Sequence, residues 1–122
     1  MSFHQLRLPS IDGHEARLSG LCAWNDSLVL FCASVEDTPD WTRDGPVLGS
    51  CIGIYSPLAK QVRQTEILKD SSGAVLIEKL ESVDIAARNG HGPRTIVAIG
   101  DNDDGRTNVY WLQLQDGTIN KK

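Results

Sequence analysis

The sequence predicts an all-β protein, on two observations. Short runs rich in Val, Ile, Leu and aromatic residues recur along the chain, separated by turn residues. The clearest run, Asn108–Leu114, alternates with a period of two: Val109 and Trp111 point one way, Tyr110, Leu112 and Leu114 the other. The stretch with the most helical character, Ile77–Ala87, is too β-branched to hold a helix well.

In chain order the predicted strands are Phe3–Leu8, Leu21–Trp24, Leu28–Ala33, Ser50–Tyr55, Val62–Leu68, Ala74–Leu80, Val83–Ala87, Thr95–Ile99 and Asn108–Leu114. Asn25-Asp26 separates the second from the third. Thr38–Gly49, carrying Pro39, Gly45 and Pro46, reads as a long loop. Asp70-Ser71-Ser72-Gly73, Asn89-Gly90 and Asp104-Gly105 supply later turns, because Asn and Asp hydrogen-bond their own backbone and Gly accepts positive φ.

The strands repeat as a group. Leu18-Ser19-Gly20-Leu21 corresponds to Leu80-Glu81-Ser82-Val83, and Leu28–Asp37 corresponds to Thr95–Asp104. Cys51–Tyr55 corresponds to Asn108–Leu112. Each half reads as a short strand, a turn, an apolar strand, an acidic turn and a third strand. A repeat of this length made of short strands is close to one β-propeller blade. The blade-like repeats cover residues 17–69 and 80–114 within a single unit, 1–122, with residues 3–8 as a strand of a preceding blade.

Lys79–Asp84 followed by Ile96–Asp104 resembles a pattern of the phytase-like and gluconolactonase/regucalcin-like propellers. In that pattern an Ile/Leu-Glu-Gly-Val/Ala entry precedes an apolar strand and Asp-Asn. Arg17–Leu21 resembles a second entry, with Ser-Gly for Glu-Gly. The resemblance implies two four-stranded blades, incomplete alone because closed rings typically have four to eight. Partners are then the remainder of a longer propeller chain or further copies of this one. Three copies supply six blades, each Phe3–Leu8 completing a neighbour's last sheet. A small β-sandwich or barrel is the alternative architecture that the length allows.

Composition narrows the function. Twelve Lys and Arg against sixteen Asp and Glu leave a net charge of −4. That disfavours nucleic acid and anionic membrane surfaces, which require a basic stripe. The longest unbroken apolar run is Leu28–Ala33, far below the ~20 residues of a membrane span. Met1–Gln5 has no leader features, so the expected location is cytoplasmic, or outside the cell if a leader was removed. Cys22, Cys32 and Cys51 show no CxxC spacing and read as free core thiols. GxSxG, Walker A and GxGxxG motifs are absent, and His4, His14 and His91 lack zinc spacing.

Two places could carry chemistry. The resemblance implies a divalent cation, Ca²⁺, at the strand-entry Glu81, joined by Asp101 or Asn102. The turn Asp101–Gly105 concentrates hard oxygen ligands but lacks the register of an EF-hand loop. Trp41, in the long loop, is the candidate ligand-facing aromatic, because Trp24 and Trp111 fall in strands. The expected function is a structural or binding module that assembles with further blades. The alternative is a Ca²⁺-dependent hydrolase of phytase-like or lactonase-like type.

Overall fold

The computed structural model describes residues 5–37, 45–87, 94–101, 105–115 and 118–121. The fold is all-β. Among the described residues the strands are β1 (Ser10–Ile11), β2 (His14–Glu15), β3 (Arg17–Ala23), β4 (Val29–Glu36), β5 (Val47–Ser56), β6 (Gln61–Ile67), β7 (Leu80–Ala87), β8 (Arg94–Asp101), β9 (Thr107–Gln115) and β10 (Thr118–Lys121). They form two four-stranded antiparallel meanders, β3-β4-β5-β6 and β7-β8-β9-β10, and a small β1–β2 hairpin.

Turn chemistry acts where the sequence places it, within the first meander and in the connection between the sheets. Asn25 Oδ1 accepts the amides of Ser27 and Leu28, both at 2.8 Å, and so makes the β3–β4 turn. Asp70 Oδ1 accepts from the Ser72 and Ala74 amides at 2.9 and 3.1 Å. Ala74–Leu80, which the sequence leaves as either an extra strand or an extended entry to the second blade, is the extended entry. Val75 makes an isolated bridge to Lys69, Leu76 N donates to Leu68 O at 3.0 Å, and regular pairing begins at Leu80.

The chain's ends depart from the sequence reading. Gln5–Leu8, the described part of Phe3–Leu8, is not a strand. Leu8 gives its N–H to Glu15 Oε1 at 3.0 Å rather than to a neighbouring strand. The fourth strand of the second sheet is the chain's own β10, with Thr118 opposite Gln115 and Lys121 opposite Leu112. A neighbour's Phe3–Leu8 is therefore not needed to complete it.

The main core lies between the two sheets. Leu30 and Cys32 of β4 and Ile52 and Ile54 of β5 face Leu80 and Val83 of β7, Ile96 and Ala98 of β8, and Leu112 and Leu114 of β9. The inner strands β3 and β7 come close because position 20 is glycine: a Cβ there would lie 3.0 Å from Glu81 O and from Ser82 Cα. Ser19 Oγ donates across the same seam to Leu80 O at 2.6 Å. Arg94 lies over the buried Trp24 ring, 4.1 Å from its centroid, and donates to the Trp24 carbonyl. A second core covers the first sheet's other face, where Phe31, Ala33, Val35 and Cys51 pack with Leu8, Ile11 and Ala16.

Candidate functional site

Three groups of residues bear on function, the first of them marked by sequence. Asn102 and Trp41, with His4 and His91, lie outside the described residues. Glu81 sits at the register shift between Leu80 and Ser82 and is exposed. Its Oε1 lies 3.8 Å from Lys79 Nζ, which is itself 3.0 Å from Glu36 Oε1 on β4. Asp101 ends β8, exposed, and its amide donates to Lys79 O at 3.0 Å. Lys79 thus joins Glu81 and Asp101, and its ammonium stands next to the carboxylate a divalent cation would use. Among the described residues no group of three or more His, Cys, Asp or Glu is placed to hold a metal ion.

A second constellation escaped the sequence. Glu78, in the extended entry to β7, is buried. Its Oε2 accepts the Tyr110 hydroxyl at 2.7 Å, and both oxygens lie 3.4 Å from Asn108 Nδ2. Its backbone is clipped to the first sheet through Ser50, whose hydroxyl donates to Glu78 O at 2.6 Å and accepts from Leu80 N at 3.1 Å. The carboxylate lies flat over Gly100: a Cβ there would fall 2.6 Å from Glu78 Cγ and 2.7 Å from Cδ. Gly100 inside an apolar strand was the available signal, since glycine there marks a close approach by another group. Burial and the adjacent carboxylate push Tyr110 up to about 12, so its phenol remains a donor at neutral pH. The arrangement ties the inter-sheet segment to both sheets, and Tyr110 is no base at neutral pH.

The thiols are equally quiet. Burial raises Cys32, beside the Ser19 hydroxyl, and pushes Cys51 up to about 12. Both are free and fully enclosed. A thiol nucleophile needs the reverse, a lowered pKa in an accessible place.

The third group is apolar, and the internal repeat explains it. Cys32, Ile52 and Ile54 are buried where the first sheet faces the second. Their counterparts in the second repeat are Ile99, Val109 and Trp111, which are 37%, 53% and 53% exposed on that sheet's outer face. On the other side of the seam, Leu80 and Val83 are buried. Their counterparts in the first repeat, Leu18 and Leu21, are 46% and 66% exposed. Part of each side of the internal interface therefore reappears exposed at the ends of the two-sheet stack: Ile99, Val109 and Trp111 at one, and at the other the β3 edge with Leu18 and Leu21, beside Phe31 and Ala33, which Leu8, Ile11 and Ala16 already cover.

The model of a family of unknown function (DUF6929) matches residues 1–114. No curated protein and no solved structure matches the chain. Among the described residues no helix is long and apolar enough to cross a membrane.

Proposed function

We propose that this chain, which belongs to the DUF6929 family of unknown function, is a blade-type structural module that stacks with further sheets of its own kind. The observation that carries the reading is that positions matched to the sheet-to-sheet interface are exposed at the two ends: Leu18 and Leu21 on the β3 edge at one, Ile99, Val109 and Trp111 at the other. Repeat architectures bury each unit's faces against its neighbours, and an uncapped end is an association surface. Support comes also from the direction of packing. The first sheet's Cys32–Ile52–Ile54 face meets the second sheet's opposite face, so one sheet step can be repeated outward.

The Ca²⁺-dependent hydrolase reading has less support, because Lys79 already stands 3.8 Å from Glu81. Calcium titration followed by thermal unfolding tests it: a calcium-dependent rise in melting temperature that Glu81→Gln abolishes would revive it.

The stacking reading is tested with an apolar fluorescent dye and two charge substitutions, Leu21→Lys and Trp111→Glu. Wild type is expected either to bind dye as a monomer or to associate. Each substitution should reduce whichever is seen while leaving the circular dichroism spectrum unchanged. Wild-type protein that neither binds dye nor associates would refute the reading.

A further inference from the structure

We infer that the occupant of the second sheet's outer face is a second copy of this chain, docked head to tail. This rests on the stacking reading and specifies its partner. Three observations support it. First, a complementary partner for the Ile99–Val109–Trp111 face is present on the molecule itself. Of the residues that cover Cys32, Ile52 and Ile54, Leu80 and Val83 have exposed first-repeat counterparts, Leu18 and Leu21, while Phe31, the counterpart of Ala98, is already buried under the chain's own N-terminal segment, so the docking strip is the β3 edge.

Second, the inner-strand geometry can repeat. At the internal seam the small Gly20 of β3 lets the backbone of β7 approach to contact. On the outer face its counterpart is Ser82, also small and exposed, so a second copy's β3 can come close to β7 in turn.

Third, an exposed cation at one end matches exposed carboxylates at the other. Arg17 is the counterpart of Lys79, and Lys79 crosses the internal seam to Glu36 at the end of β4, at 3.0 Å. The same step from a second copy brings exposed Arg17 toward the end of β8, where Asp101 is exposed, with Glu81 and Asp84 exposed on the neighbouring β7. Arg against this acidic edge is attractive, whereas turning the same face onto itself would oppose carboxylates to carboxylates.

Such a contact is heterologous: the surface used on one copy differs from the surface used on the next. It therefore closes into a ring or extends as a filament, and it cannot stop at a symmetric pair. With two sheets per chain, small numbers of copies reach the roughly four to eight sheets of closed propeller-type rings.

The contact is tested by complementation. Leu21→Lys removes the first end and keeps the second; Trp111→Glu does the reverse. Each variant alone is expected to give the monomer mass of 13.3 kDa in light scattering. Their equimolar mixture is expected to form one heterodimer of about twice that mass, because a single interface is rebuilt from the two intact ends. The milder Leu21→Gln and Trp111→Gln should show the same complementation if a charge disturbs the fold. Association of Leu21→Lys alone would mean face-to-face pairing of the second sheet and would overturn the inference. Wild type that stays at 13.3 kDa at all concentrations would also overturn it. Dye binding in that monomer, lost on Trp111→Glu, would leave the stacking reading standing with some other sheet as occupant.

Discussion

Replacing Gly100 by Ala drives a methyl group into the Glu78 side chain. The added Cβ would meet Cγ at 2.6 Å and Cδ at 2.7 Å, distances that real Cβ atoms do not tolerate, so the carboxylate must move. Overpacking of this kind costs about 1–3 kcal/mol. Moving the carboxylate also strains the 2.7 Å bond from the Tyr110 hydroxyl, and a hydrogen bond to a charged group is worth about 1.5–3 kcal/mol. The two losses overlap, so the expected cost is about 2–4 kcal/mol. Urea unfolding measures it as a lower midpoint at unchanged slope. The decisive comparison is with Glu78→Ala. Once the side chain is gone the methyl has room, so adding Gly100→Ala to that variant should cost less than about 0.5 kcal/mol. A Gly100→Ala protein as stable as wild type would refute the reasoning. So would an equal cost in the Glu78→Ala background, which would mean that the damage lies elsewhere.

Three further outcomes follow from the same geometry. Tyr110 ionises near 12 in the folded protein and near 10 when unfolded, so between those values the unfolded chain binds fewer protons and stability falls as pH rises. Tyr110→Phe should remove that slope, read by absorbance titration and by unfolding at several pH values. Thiol-reactive dye should modify half-buried Cys22 first, and reach Cys32 and Cys51 only at the rate at which the protein opens. Arg94→Gln removes a charge over the Trp24 ring and a donor to its carbonyl; a loss of about 1–3 kcal/mol is expected, with a shift in tryptophan emission.

Seven of the eight strands of the two sheets, β3 to β9, were legible because each carries a local signal. Val109 and Trp111 alternate with Leu112 and Leu114 in the sequence, and they divide in the same way between the outer face and the core. Asn25 and Asp70 marked their turns because their side chains bond backbone two residues on. β10 was missed because Thr118–Lys121 is short and half of it is Asn and Lys, so its strand character comes from pairing with β9. Phe3–Leu8 was read as a strand, whereas its described part, Gln5–Leu8, pairs with no strand and Leu8 gives its N–H to Glu15. The Glu78 cluster could not be read locally at all. Its partners are 30 and 32 residues away and meet it only after the second sheet has folded. Glu81 was read as a cation ligand from the resemblance; what the sequence did not show is that Lys79, two residues away, stands 3.8 Å from its carboxylate. The repeat told most. It was visible as pattern alone, and it became an argument about function once exposure was compared between the matched positions.

The most direct test of the stacking account is the light-scattering mass of wild-type protein across concentration, beside that of Trp111→Glu. The account expects wild type at a multiple of 13.3 kDa and the variant at 13.3 kDa. Equal masses for the two proteins at every concentration, with no dye bound by either, would contradict it.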